Sequence, residues 1–289
     1  MSGTSALLLD LDGVIVLRDR LLPGAAEAIA RLDAAGVPYA IATNTSLVSR
    51  ATLSRELARA GLAIPPEIIV TASAAAAGHC RRRFDGEPLY VMGAPDALVE
   101  FAGLNLLDHD AAAEPGSMAA AVVVGDAAGD FTPRNLQSAF TLIRGGARLL
   151  AMHKNRWWFT PEGVRMDAGG YVAALEFATE RRAVVTGKPS RAFLRAGLDI
   201  LTGLARGSRG VARSAVRRRS GPLLPGNVAM VGDDLWNDLR GAQRAGMRSV
   251  FVRSGKHGDA ELARYSRESG GPPDADAPSI GEVVEALLG

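Results

Sequence analysis

A single cysteine, Cys80, stands in a chain of 289 residues, so no disulfide can close within it. A cysteine-based zinc site, which needs several thiolates, is disfavoured on the same ground. Charge of one sign is also scarce: 33 Lys and Arg face 31 Asp and Glu, a formal net of +2. No global basic field therefore argues for a nucleic-acid partner. No run of about 18 apolar residues escapes a charge or a breaker, so a membrane-spanning helix is not expected. The opening MSGTSALLLDLDG has no basic region ahead of its apolar run. A signal peptide is thus not expected either, and the cytoplasm is the expected location. What is plentiful is apolar: 47% of residues against 22% charged, the balance of a globular protein with a sizeable core. At roughly 150 residues per domain, the length predicts about two domains.

Apolar runs of strand length alternate with segments of helical spacing. Residues 5–10 (SALLLD) read as a buried parallel strand that ends in acid. Helical spacing runs from Gly24 to Ala35, with Gly36 as its stop signal. A strand over Tyr39–Thr43, a helix over about 47–60 and a strand over Ile68–Val70 follow, then an Ala-rich helix to about Arg83. Further strands are predicted at 89–92, 120–124, 149–152, 183–186, 228–231 and 249–252, with helices at 94–102, 134–144, 171–179, 192–204 and up to about 245. Such alternation predicts an α/β fold, a doubly wound parallel sheet with helices on both faces.

Four predicted strand ends carry reactive side chains, and ligands of open parallel sheets bind just beyond the carboxyl ends of strands. The first holds Asp10-Leu11-Asp12-Gly13. Asp10 can attack phosphorus and split a hard hydrolysis into two steps. Asp12 can protonate a leaving oxygen and later accept a proton from water. Gly13 allows a sharp turn that offers its N–H to phosphate oxygens. The blander alternative is a strand-end turn, where Asp and Gly are common. The second end holds Thr43-Asn44-Thr45, a hydroxyl and backbone N–H groups at a helix start, which can cradle phosphate. An ordinary cap at Thr45 or Ser46 is the alternative. The third holds Lys188, a fixed charge for phosphoryl oxygens or a surface lysine ahead of Pro189. The fourth is Gly232-Asp233-Asp234-Leu235-Trp236-Asn237-Asp238. Asp233, Asp10 and the carbonyl of Asp12 suit Mg²⁺, which takes oxygen ligands and keeps several waters. Asp234 and Asp238 then fall behind them as carboxylates that orient waters and Lys188. A solvated helix N-terminus would also favour such acids.

D-x-D-G, Thr, Lys and G-D-D-x-x-x-D in this order resemble the haloacid dehalogenase (HAD) superfamily. The resemblance implies a Mg²⁺-dependent phosphatase acting on a small phosphorylated metabolite through an aspartyl-phosphate. Its roles fall on Asp10, Asp12, Thr43, Lys188 and Asp233. Too few residues separate Asp12 from Thr43 for an inserted domain, whereas Thr43 to Lys188 leaves room for one of roughly 100 residues. The chain is therefore similar to class IIA. A HAD core is expected over 1–78 and 184–289, with an α/β cap over 79–183. Residues 149–158 (LLAMHKNRWW) are similar to the subgroup of phospholysine phosphohistidine inorganic pyrophosphate phosphatase. That subgroup often has Ser where this chain has Asp12, so phosphoester chemistry is at least as well served here as phosphoramidate or pyrophosphate hydrolysis. Class IIA members often pair through their caps, which implies a homodimer of that kind.

Three further features stand apart from these motifs. His153, Lys154 and Arg156 follow a cap strand and are candidate substrate contacts, with a surface loop as the alternative. Residues 254–258 (SGKHG) follow a strand ending at Val252 and lie at a sheet end. Residues 205–226 are rich in Arg, Gly and Ser, without Asp or Glu, and read as a flexible insertion. Its arginines (206, 209, 213, 217, 218 and 219) leave open a non-catalytic protein that binds a polyanion. No aromatics are interleaved with them, which weighs against nucleic acid.

Overall fold

A computed structural model describes residues 3–18, 20–160, 163–207, 223–269 and 271–289. From the N-terminus, strand β1 (Ala6–Leu9) is four apolar, fully buried residues. A short ribbon, β2 (Val16–Leu17) and β3 (Arg20–Leu21), follows. Helix α1 (Ala25–Ala35) buries Ala25, Ala28, Ile29 and Leu32 at helical spacing and stops at Gly36, whose φ of 63° lets its N–H turn back to the carbonyls of Leu32 and Asp33. Next come β4 (Tyr39–Thr43), α2 (Arg50–Arg59), β5 (Ile69–Thr71) and α3 (Ala72–Arg83). Strands β6 (Leu89–Met92) and β7 (Leu106–Leu107), helix α4 (His109–Ala113), β8 (Ala121–Val124), α5 (Pro133–Arg144) and β9 (Arg148–Ala151) continue the alternation. A hairpin, β10 (Trp157–Thr160) with β11 (Gly163–Met166), precedes α6 (Gly169–Thr179) and β12 (Val184–Val185). The chain closes with α7 (Arg191–Gly207), β13 (Val228–Gly232), α8 (Arg240–Arg244), β14 (Arg248–Val252), α9 (Asp259–Ser269), β15 (Ala275–Ala277) and α10 (Ile280–Leu288).

The expected α/β class is what forms. One sheet runs β15-β14-β13-β1-β4-β5. Leu9 of β1 lies opposite Val231 of β13 and Ile41 of β4 in parallel register. Residues following β1, β4 and β13 therefore leave the same edge of the sheet, which is where Asp10 and Asp233 sit. A second sheet runs β12-β9-β8-β6-β7, also parallel. Side chains alternate along its strands. Val122 and Val124 join a core with Tyr90, Leu142, Leu149 and Val172. Ala121 and Val123 face a different core with Ala76, Cys80, Phe101 and Leu150. Both faces are covered, as parallel sheets require.

The described chain forms two compact units. The first comprises residues 1–43, 54–70 and 188–289, and the second residues 44–53 and 71–187. This division departs from breaks at 78/79 and 183/184. Ala72, Ala76, Ala77 and Cys80 place α3 in a core of the second sheet, and Val184–Val185 pairs in parallel with Leu150–Ala151, so β12 belongs to that sheet too. Helix expected at 94–102 is only a tight turn over Ala97–Phe101, because Pro95 before it and Gly103 after it leave no room for more. The hairpin β10–β11 was not expected. Helix α7 extends to Gly207, and most of the expected Arg-rich insertion, 208–222, lies outside the described residues. No described helix is long and apolar enough to cross a membrane.

Candidate active site

Asp10 follows the last residue of β1 and is 5% exposed. Its backbone N–H donates to the carbonyl of Val231, continuing the β1–β13 ladder one step past the strand. Its Oδ1 accepts the N–H of Leu11 at 2.7 Å. Lys188 reaches the same oxygen: its Nζ lies 2.7 Å from Asp10 Oδ1 and 2.7 Å from Asp238 Oδ1, with all three side chains buried. Among the described residues, Asp10, Asp233 and Asp238 each bring a carboxylate oxygen within 4.8 Å of the others.

Three buried carboxylates share one ammonium. Burial pushes Asp10 up to about 6, with Lys188 pulling it down and Asp233 and Asp12 pushing it further up. Burial and the nearby Asp238 push Asp233 up to about 8. Asp238 is likewise held well above the usual carboxylate range by burial and by Asp10. Burial opposes charge on Lys188 as well, but Asp10 and Asp238 keep it protonated, above its ordinary value. Ionising all three acids together would leave negative charge that Lys188 alone does not neutralise. An all-oxygen donor set with that surplus fits a hard divalent cation.

The glycines around the cluster are sterically required. Gly13 has φ +77°, and a Cβ there would lie 2.3 Å from Asp233 Oδ2. Its N–H, expected to face phosphate, donates instead to the carbonyl of Val16 at 2.7 Å within the turn. Asp12, two residues from buried Asp10, is exposed. Asp234 turns away from the cluster. Its Oδ1 accepts the N–H groups of Trp236 and Asn237, capping the turn Leu235–Leu239, and Lys256 Nζ stands 3.7 Å from its Oδ2. Burial alone would raise Asp234, but Lys256 and these N–H groups hold it below the usual range. Of the two acids expected behind the metal ligands, Asp238 belongs to the cluster itself, and Asp234 serves the turn.

Thr43 ends β4 and is fully buried. Asn44 and Thr45 begin a segment of the second unit. Thr45 gives its carbonyl to the N–H of Ala72, and Asn44 Nδ2 lies 3.5 Å from Asn155 Oδ1. Neither Thr45 nor Ser46 caps α2. That role falls to Ser49, whose Oγ accepts the N–H of Thr52. Ser46 instead bonds to His153 Nε2 at 2.9 Å, and its Oγ accepts the N–H of Asp126.

The three expected cap contacts separate. His153 is 2% exposed, lodged between Ser46 and Asp167, whose carboxylate is 3.7 Å from Nε2. Lys154 is exposed and pairs with Glu176 at 2.6 Å. Arg156 is exposed, and its carbonyl accepts the N–H of Asp167. In the sequence Ser46 suggested only a helix cap and Asp167 nothing, because a serine and an aspartate separated by so many residues form no local pattern.

Two family models match the chain: haloacid dehalogenase-like hydrolase over residues 7–106, and HAD-hydrolase-like over residues 185–283. Haloacid dehalogenase-like hydrolase domain-containing protein 2 of Rattus norvegicus is 31% identical over 98% of this chain and 95% of its own length. The chain belongs to the haloacid dehalogenase-like hydrolases. Phospholysine phosphohistidine inorganic pyrophosphate phosphatase of Homo sapiens is 30% identical over 100% of this chain and 96% of its own. Among solved structures, a p-nitrophenyl phosphatase from Archaeoglobus fulgidus matches with a TM-score of 0.82 and 26% identity, covering 98% of this chain and 99% of that one. The chain is an enzyme of this hydrolase family, phosphatase in kind, with a HAD core and an inserted α/β cap.

Proposed function

We propose that this enzyme is a Mg²⁺-dependent phosphatase that transfers the phosphoryl group of a small metabolite to Asp10 and then to water. The observation that carries the reading is the buried cluster of Asp10, Asp233 and Asp238 pinned by Lys188 at 2.7 Å. Asp10, the Asp12 carbonyl, Asp233 and Asp238 are the oxygens available to Mg²⁺, which when bound supplies charge stabilisation for the phosphoryl oxygens.

In the first step a carboxylate oxygen of Asp10 forms a bond to phosphorus while the ester P–O bond breaks in line. Asp12, exposed beside the buried nucleophile, gives its proton to the departing oxygen. In the second step water attacks the aspartyl-phosphate and loses its proton to Asp12, releasing phosphate and restoring Asp10. Lys188 holds Asp10 oriented and ionised, since its ammonium opposes the pull of burial on that carboxyl. Thr43, with the N–H groups of Asn44 and Thr45, is assigned to the phosphate oxygens; the Gly13 N–H is engaged in its turn.

The human relative, named for phospholysine, phosphohistidine and pyrophosphate, supports a second reading in which a phosphoramidate or pyrophosphate is cleaved at the same site. Asp12 favours the ester, whose leaving oxygen needs a proton. Full-length kinship to hydrolases weighs against a non-catalytic polyanion binder. A cytoplasmic location and a homodimer through the cap complete the proposal. Phe177, 89% exposed on α6, and Val184 on the edge strand β12 are apolar surface available for such pairing.

Phosphate release from phosphorylated metabolites, p-nitrophenyl phosphate and imidodiphosphate, with Mg²⁺ or with EDTA, tests the reading. Turnover that needs Mg²⁺ and vanishes in Asp10→Asn is expected, and the preferred substrate decides between ester and phosphoramidate. Folded protein that binds Mg²⁺ yet turns over none of them would overturn it.

A further inference from the structure

Strand β14 pairs with β13 in parallel, Phe251 opposite Gly232, so the segment after β14 emerges beside Asp233. Its sequence is Arg253-Ser254-Gly255-Lys256-His257-Gly258. Arg253 anchors the segment by bonding the carboxylates of Asp276 and Asp259. From there the chain makes four contacts with the two acid-bearing loops. Ser254 Oγ donates to the carbonyl of Gly13 at 2.6 Å. The N–H of Lys256 donates to Asp233 Oδ2 at 2.5 Å. The ammonium of Lys256 stands near Asp234, and His257 Nδ1 accepts the N–H of Leu235 at 3.1 Å.

Packing leaves little freedom at this point. A Cβ on Gly255 would lie 2.0 Å from Asp233 Oδ2, and one on Gly13 would lie 2.3 Å from the same oxygen and 2.9 Å from the Cα of Gly255. The Asp233 carboxylate is wedged between two glycines, with one oxygen held by a backbone N–H. It cannot swing without losing that bond, and the Gly13 turn cannot shift without losing Ser254.

We propose that residues 254–256 are a fifth strand-end element of the site, with Ser254 and the Lys256 N–H as positioning groups. They lock the turn after β1 to the Asp233 carboxylate after β13, so the acids from the two strands meet a divalent cation at a fixed separation. The inference rests on the reading of the cluster as a cation site. It assigns a role to residues outside the four motifs and predefines the acids before any cation arrives.

The test uses the full-length protein with Ser254→Ala, Ser254→Thr and Gly255→Ala. Mg²⁺ binding without substrate is followed by calorimetry, Mg²⁺ activation by phosphate release, and folding by melting in EDTA. Losing one hydrogen bond, Ser254→Ala should weaken Mg²⁺ binding about three- to tenfold. Its kcat at saturating Mg²⁺ and its KM should change far less, and Ser254→Thr, which keeps the hydroxyl, should restore the affinity. Gly255→Ala, which displaces the carboxylate, should weaken binding by about a hundredfold. If wild type responds to Mg²⁺ while Ser254→Ala and any folded Gly255→Ala protein bind it equally well, the positioning role is overturned alone. Wild type that neither binds Mg²⁺ nor needs it would overturn the cation reading and this inference together.

Discussion

Lys188 Nζ lies 2.7 Å from Asp10 Oδ1, although 178 residues separate the two in the chain, and both side chains are buried. The pair is completed by Asp238, equally close to the ammonium. Lysine suits this place because a compact ammonium can meet two carboxylates at once, whereas the planar fork of arginine is matched to one.

Lys188→Met should therefore lower kcat by at least about a hundredfold, the scale of losing one preorganised charge at a reacting group. It should also cost about 3 kcal/mol or more of stability near neutral pH without divalent cation, because Asp10 and Asp238 lose the ammonium that pairs with both. Steady-state kinetics and urea denaturation in EDTA check both. Stability and kcat near wild type would show that the pair carries neither load.

Asp12→Asn keeps the size of the side chain and removes its proton chemistry. Turnover of an alkyl phosphate should fall about 10²- to 10⁴-fold. Transfer from p-nitrophenyl phosphate to Asp10 should suffer less, since nitrophenolate leaves without a proton. Single-turnover measurements with both substrates read the difference, and equal losses would remove Asp12 from the acid role.

His153 is a buried partner of Ser46 and Asp167. His153→Ala should cost about 1–3 kcal/mol of folding stability by leaving polar groups buried without the ring. Denaturant titration measures it. Unchanged stability with a raised KM would return His153 to the role of direct substrate contact.

Burial pushes the thiol of Cys80 up to about 11, and nearby Arg81 offsets only part of this. The folded protein therefore keeps the thiol proton at pH values where the unfolded chain releases it. Stability should fall as pH rises from about 9 to 11, and Cys80→Ala should make that slope shallower, leaving the share of the buried tyrosines Tyr39 and Tyr90. A thiol reagent at pH 8 should label the native protein only as fast as it opens, and the denatured protein at once. Fast labelling of the native form would contradict the buried position.

Much of the site was legible because strand ends and acids are local features. Asp10 after SALLL, Thr43 after YAIA and Asp233 after VAMVG are each marked by an apolar run that a parallel sheet must bury, and the sheet register then brings those ends to one edge. Asp238 was harder to place. Sequence puts it one helical turn beyond Asp234, and only the turn geometry decides that Asp238 faces Lys188 while Asp234 caps Trp236 and Asn237. His153 read as a surface loop or a substrate contact, since a lone histidine carries no mark of burial.

The order of motifs, the class of fold and the hydrolase family were determined by the sequence itself, because apolar periodicity and acid placement act over a few residues. Tertiary structure alone decided which acids share Lys188, that Gly13 spends its N–H on its own turn, that β12 joins the inserted sheet, and that Ser254 and Lys256 close on Gly13 and Asp233. These are contacts between residues far apart in the chain or choices among nearby rotamers. Their energies depend on packing and burial, which no local pattern encodes.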